Sequence, residues 1–263
     1  MLKSSMSLSE IHKTIMADMG FIAKSFAEAG NSFKRELIFT SNFPFSKTYD
    51  YECGKSHILY SFTVVAPNSR EIKAAGISSS YKNDDGLLTG IVAAPQKGDL
   101  LVHVFNPHCI AQYRELGLQN NGASDEEVWK IMRSEAVAVL PEVEGMTEID
   151  NNLLEHIKGN IEHISAVTSK GVFLGARAGH NRLAIEFGDF CTLDMLSKDQ
   201  YDYIFNSYLL VYMQQYTVSY PQKATEFKRE YQALTDKFQK EHWTLGKFAE
   251  VGKKLIEKYP LDK

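Results

Sequence analysis

One short run constrains the fold more than any other part of this sequence. Residues 99–105 read Asp-Leu-Leu-Val-His-Val-Phe and are almost continuously apolar. Because the side chains of a strand alternate between two faces, such a run is typical of a strand buried on both faces. Its sheet then needs a covering layer on each side, so the sequence predicts an α/β fold with flanking helices.

Other strand patterns accompany this run. Residues 58–65 are rich in β-branched and aromatic residues, and residues 87–92 follow a turn that contains Asn, Asp and Gly. Residues 171–174 form a third short apolar run. We expect these segments to form a central mixed or mostly parallel sheet.

Three capping boxes mark helix starts. They lie at residues 7–10, 124–127 and 197–200, each with serine first and Glu or Gln three residues later. The first helix is predicted to end at residues 30–31, since Gly and Asn tolerate the left-handed conformation of a helix C-terminus.

Further apolar positions at helical spacing predict four more helices. The predicted segments are residues 110–116, 151–167, 227–238 and 245–255. With 263 residues and no linker rich in Pro, Gly or Ser, one domain over residues 1–263 is the economical interpretation. It divides into an N-terminal helix (1–36), an α/β core (37–196) and C-terminal helices (197–263).

Composition excludes several classes of function. A net charge of −4 gives no electrostatic footprint for nucleic acid, and no apolar run reaches the length of a transmembrane segment or a signal peptide. Three cysteines do not make a disulfide framework, so we expect a reducing, cytoplasmic compartment. No metal-binding motif and no cofactor motif is present, so we expect neither group.

The loop after residues 99–105 is the first candidate site. In open α/β sheets, ligands bind beyond the carboxyl ends of the strands. Asn106 is a candidate ligand-binding residue there, and Cys109 stands at the start of a predicted helix, whose dipole would lower the pKa of the thiol. His108 or His103 would act as its base. The structural alternative is a buried, unreactive cysteine.

The loop after residues 171–174 is the second candidate site. Gly175 and Gly179 permit a tight turn and close approach of a ligand to the backbone. Arg177, His180 and Arg182 would hold an anionic group, because guanidinium groups match phosphate and carboxylate oxygens. The alternative is a turn with two surface arginines.

Residues 102–107 and 172–179, in this order, resemble the middle of class-3-lipase-like α/β-hydrolases. The resemblance implies an oxyanion-hole loop after the first segment and a nucleophile elbow, G-x-S-x-G, at Gly175–Gly179. Arg177 occupies the serine position, and arginine cannot attack an acyl carbonyl. The resemblance therefore implies a hydrolase-like scaffold without serine-hydrolase activity, and it leaves open whether the protein is an enzyme.

A remoter resemblance points to another class of enzyme. Arg35, residues 78–80 (Ser-Ser-Ser) and residues 142–144 (Glu-Val-Glu) are similar in order to the motifs of ADP-ribosyltransferases. In that family the arginine and serine shape the NAD site and the last glutamate stabilises the transition state.

The leading hypothesis is thus a hydrolase-like domain that binds a small anionic molecule at strand ends. The alternative is a non-catalytic interaction protein that binds a protein partner through its C-terminal helices. There Tyr208, Tyr212 and Tyr216 lie four apart and form either an interface or a packed core, and residues 223–263 hold 10 basic and 7 acidic side chains.

Overall fold

The computed structural model of this chain describes residues 2–43, 45–66, 68–70, 72, 74–96, 99–139, 162–168, 170–177 and 183–261. Within these residues, eight strands form one sheet in the order β1-β2-β3-β4-β5-β8-β7-β6. The strands are β1 (Phe45–Cys53), β2 (Ile58–Ala66), β3 (Ala74–Lys82), β4 (Leu88–Gln96), β5 (Asp99–Phe105), β6 (Glu162–Val167), β7 (Val172–Arg177) and β8 (Ala184–Cys191).

The sheet is mixed, as predicted, but the mostly parallel alternative is not observed. Strands β1 to β5 form an antiparallel meander, β6 to β8 form a second one, and the two meet in a single parallel pair, β5–β8. The β5 run indicated burial on both faces, and this burial is observed. Burial on both faces does not indicate strand direction. Helices cover both faces of β5, and yet its neighbour β4 is antiparallel to it.

Two helices form the N-terminal segment, where one was predicted: α1 (Leu8–Ala17) and α2 (Met19–Leu37). The first predicted capping box is confirmed, since the Ser7 hydroxyl accepts from the Glu10 amide and the Glu10 carboxylate accepts from the Ser7 amide. The predicted end at residues 30–31 is wrong. Helix α2 continues because Phe33 and Leu37 extend its buried stripe by two further turns.

One prediction of helix is corrected to strand. Residues 151–167 were expected to be helical, but the part that is described, from Glu162, is strand β6. Pairing with β7 overrides local spacing here, because the ladder satisfies the backbone and buries side chains such as Ile164.

Helices cover both faces of the sheet. Helices α1 and α2 pack on one face, where Val102 and Val104 of β5 share their core. On the other face lie α3 (Pro107–Gln112), a π-helical turn (Tyr113–Gly117) and α4 (Asp125–Val139), with Phe105 among their buried neighbours. The layered α/β arrangement predicted from β5 is therefore confirmed.

The C-terminal helices have a core of their own. They are α5 (Lys198–Ser219), α6 (Ala224–Lys240) and α7 (Leu245–Lys258), with 3₁₀ turns at Leu193–Met195 and Pro221–Lys223. Phe205, Phe227 and Phe248 are fully buried between them. The stripe that ends in Tyr212 and Tyr216 is core, since both side chains are buried and the Tyr212 hydroxyl donates to the Tyr259 carbonyl.

Candidate functional site

The carboxyl end of β5 lies where the sequence placed the first candidate site. Because β5 and β8 are parallel, Asn106 follows β5 beside the end of β8, and its amide donates to the Phe187 carbonyl at 3.1 Å. The Asn106 side chain caps α3 by accepting from the Cys109 amide at 2.9 Å. Both hydrogen bonds hold the loop, so Asn106 has a clear structural task there.

His108 lies beside a carboxylate at this edge of the sheet. Its Nε2 lies 3.4 Å from Oδ1 of Asp189, and both side chains are largely exposed. A carboxylate that orients an imidazole is an arrangement that general acid–base catalysis uses. Sequence reasoning did not find Asp189, because only the parallel pairing of β5 with β8 brings the two residues together.

Cys109 has the opposite environment from the one its position in the sequence indicated. The side chain is completely buried, and its Sγ lies 3.6 Å from the Asp189 carbonyl oxygen. Burial raises the pKa of the thiol far above its ordinary range, with a smaller contribution from the negative charge of Asp189. This environment favours the neutral thiol over the nucleophilic thiolate.

Among the described residues of the second predicted half, Arg177 does not lie beside Asn106. The last residue of β7, Arg177, pairs with Ile185, and the Leu183 carbonyl accepts from the Val102 amide. Val102 and Asn106 are four residues apart on an extended chain, a separation of about 13 Å. Arg177 and Leu183 thus lie level with the middle of β5, at Val102 and His103, and not with Asn106.

The remaining residues of that half lie outside the described part of the chain, namely Gly179, His180 and Arg182. Gly175 lies inside β7, opposite Phe187 at an irregularity of the pairing, and an added Cβ there would come within 2.5 Å of the Glu186 carbonyl oxygen. Its role here is close approach of two strands. Binding of an anion at these positions stays a prediction.

The first part of the predicted nucleophile elbow, from Gly175 to Arg177, belongs to strand β7, and Gly179 lies outside the described residues. Strand β7 is antiparallel to both of its neighbours, and the next described element after it is strand β8. For the ADP-ribosyltransferase resemblance, Arg35 is exposed on α2, the Ser79 hydroxyl donates to the Leu59 carbonyl, and residues 142–144 lie outside the described residues.

A cleft that the sequence did not predict lies between the β8–α5 connection and the C-terminal helices. Its volume is 760 Å³, within the range of known binding clefts, and it is open to solvent. Its lining includes Leu193 and Leu196 of the connection, Tyr201 and Tyr208 of α5, and Ile256 of α7. We call this the Tyr201 cleft.

The two helices that supply most of the Tyr201 cleft, α5 and α7, pack closely against each other. Gly252 of α7 faces the Phe205 ring, and a Cβ at this position would meet that ring at 2.4 Å. Helix α5 begins with the confirmed capping box of Ser197 and Gln200. Tyr201 is therefore held on the first turn of a capped helix, and Tyr208 follows two turns later on the same side.

The charges around the Tyr201 cleft are of both signs. Lys198 and Asp202 form an ion pair with each other, and the Lys253 ammonium lies 4.5 Å from the centre of the Tyr201 ring. Asp194 and Glu257 have no ion pair within the described residues. Three carboxylates and two ammonium groups thus line the cleft, and the two carboxylates without partners give it a negative rim.

Burial also affects the tyrosines of the cleft. It raises the pKa of Tyr208 to about 12, and it raises the pKa of Tyr201, which lies beside Asp202. Both phenols are therefore neutral hydrogen-bond donors at physiological pH. Neither hydroxyl has a hydrogen-bond partner among the residues that the structure describes, so both can bind an incoming group.

Comparison with known proteins adds no family. No protein-family model, no curated protein and no solved structure matches this chain. In the described residues, no group of His, Cys, Asp and Glu side chains is placed to hold a metal ion, and none of the helices is long and apolar enough to cross a membrane.

Proposed function

We propose that this protein is a binding protein that recognises a segment of a protein partner in the Tyr201 cleft. The observation that carries the proposal is the cleft itself, where two half-buried tyrosines and three apolar side chains lie among charged groups on closely packed helices. Tyrosine is enriched at interfaces, because it combines a large apolar ring with a hydroxyl and loses little conformational entropy.

The charges of the cleft indicate the partner's chemistry. Lys198 is neutralised by Asp202, and the Lys253 ammonium already lies on an aromatic face. Asp194 and Glu257 are left to bind a cation. The segment that fits carries an aromatic or branched apolar side chain for the cleft and a Lys or Arg beside it for the rim.

A charge-reversal experiment tests this proposal. A random peptide library is selected on the full-length protein, and we expect enrichment of peptides that combine an apolar anchor with a basic residue. The double variant Asp194→Lys/Glu257→Lys should bind the enriched peptides at least about tenfold more weakly, since two attractive charges become repulsive. Both residues are exposed, so the fold should not change.

The matched control is Glu226→Lys/Glu250→Lys, which makes the same change of charge on exposed positions outside the cleft. This control should retain binding. The proposal fails if no peptide is enriched, or if both double variants lose binding equally, which would show only a general effect of net charge.

A further inference from the structure

A row of small polar side chains lies on the face of the sheet that carries α4. The register places Asp50 of β1 beside Ser61 of β2, and Ser61 beside Ser78 of β3. Ser61 and Ser78 are buried, with 5% and 2% of their surface exposed. Two residues along β2 on the same face, Thr63 is also buried, and its hydroxyl lies 2.9 Å from that of Thr48.

Arg133 of α4 extends its side chain over this row. One terminal nitrogen, Nη1, donates to the Ser61 hydroxyl at 2.9 Å, and that hydroxyl donates to Oδ1 of Asp50 at 2.6 Å. The Nε of Arg133 is shielded from solvent and has no acceptor among the described residues. The described residues contain no direct ion pair between Arg133 and Asp50, so the hydrogen bonds link the two only through the Ser61 hydroxyl.

The positive charge of the Arg133 guanidinium has few hydrogen-bond acceptors for a half-buried group. The guanidinium carries five N–H donors, and a half-buried charge with unpaired donors costs free energy that a hydrogen-bonded anion would recover. Burial lowers the pKa of Arg133, an effect that the charge of Asp50 opposes. Structural arginines are usually paired with a carboxylate directly, which is the contact missing here.

We propose that Arg133, together with the hydroxyl of Thr63, forms a binding site for a small oxyanion, either a phosphate or a carboxylate group. The guanidinium supplies the charge and the Nε–H donor that has no acceptor among the described residues, and the Thr63 hydroxyl donates a further hydrogen bond when Thr48 donates to it. The Ser61 and Ser78 hydroxyls already donate, to Asp50 and to the Ser61 carbonyl, and form the polar floor beneath the guanidinium. Asp50, at the edge of the site, repels the anion and so sets its affinity. This site is separate from the Tyr201 cleft and does not depend on the function proposed for it.

Thermal unfolding with inorganic phosphate and, separately, sodium acetate tests the site, with sodium chloride at equal ionic strength as reference. Saturating phosphate should raise the unfolding temperature of the wild-type protein by about 5 °C or more. Arg133→Met keeps the length of the side chain but has no donor, and should abolish the shift. Arg229→Met, at an exposed arginine of α6, should keep it.

Asp50→Asn is expected to have the opposite effect, a gain of affinity for the anion. A variant that fails to fold cannot show such a gain. Removing the nearby carboxylate should tighten binding of the anion by roughly fivefold, equal to about 1 kcal/mol of relieved repulsion. A shift with phosphate alone identifies a phosphoryl group, and a shift with acetate as well identifies a general carboxylate and phosphate site. No shift beyond that of sodium chloride, or an equal shift in Arg133→Met, overturns the proposal.

Discussion

Two physical effects oppose each other at Cys109. The start of α3 directs backbone amides and a partial positive charge towards the residue, which favours a thiolate. Complete burial favours the neutral thiol, and it dominates, since the pKa of Cys109 is raised. A short helix such as α3 has a weak dipole, whereas removal of a thiolate from water costs several kcal/mol.

We therefore expect the Cys109 thiol to be unreactive in the native protein. In a Cys53→Ala/Cys191→Ala variant, it should react with a thiol-specific disulfide reagent at least about a hundredfold more slowly than Cys191 does in Cys53→Ala/Cys109→Ala. That factor corresponds to an opening of roughly 3 kcal/mol before the reagent can enter. Cys191 is half-buried and needs less opening.

Both variants should react equally fast in denaturant, which controls for intrinsic reactivity. Rapid modification of native Cys109 would contradict the burial argument and restore its sequence-based role as a nucleophile.

Candidate residues could be predicted only where local chemistry decides their role. Asn106 was expected at a strand end, and its cap on α3 follows from its position before a helix. The side chain of His108 contacts that of Asp189, which lies 81 positions further along the chain. Nothing in the sequence around either residue indicates this contact. Tyr208 was noticed as part of a helix stripe, but its place at a cleft depends on where α7 packs.

At the scale of elements, the contact between α4 and the sheet depends on one glycine. Gly90 of β4 lies directly under the Trp129 ring, and an added Cβ would meet that ring at 2.3 Å. Trp129 is buried and packs against Phe105, with ring centres 5.8 Å apart. The ring cannot move aside without disturbing a core that also contains Val128 and Met132.

Gly90→Ala should therefore destabilise the protein by about 1–3 kcal/mol, measured as a lower midpoint of urea unfolding. The matched control is Gly30→Ala in α2, where nothing lies within 4 Å of the added Cβ. There alanine should stabilise the helix by up to about 1 kcal/mol. An equal midpoint for Gly90→Ala and the wild type would show that the Trp129 ring has room to move.

At the scale of the whole molecule, stability at alkaline pH depends on buried tyrosines. Burial raises the pKa of Tyr60, and the hydrogen bond that its hydroxyl donates to Asp18 adds to this shift. The folded state therefore keeps this proton at a pH where the unfolded chain has released it. Stability is complete below about pH 10, the ordinary tyrosine pKa, and falls as the pH rises towards the pKa of the folded state.

Tyr60→Phe should reduce the loss of stability above pH 10 by about 1.4 kcal/mol per pH unit. The free energy of unfolding from urea titrations between neutral and alkaline pH measures this slope. Ser56→Ala is the control, because it removes the other hydroxyl bound to Asp18 but no titrating phenol. It should lower stability at every pH and leave the slope unchanged, and an equal slope in Tyr60→Phe would contradict the role given to Tyr60.

The sequence by itself determined what depends on a few consecutive residues. Capping boxes such as that of Ser7 and Glu10, the apolar strand β5 and the helical C-terminal third follow from hydrogen bonds and periodicity within one segment. Only the tertiary structure decided the strand directions, the identity of β6 as a strand, and the neighbours of Arg133 and Tyr201. These depend on pairing and packing between segments far apart in the chain, and the free energy of such contacts overrides local preference.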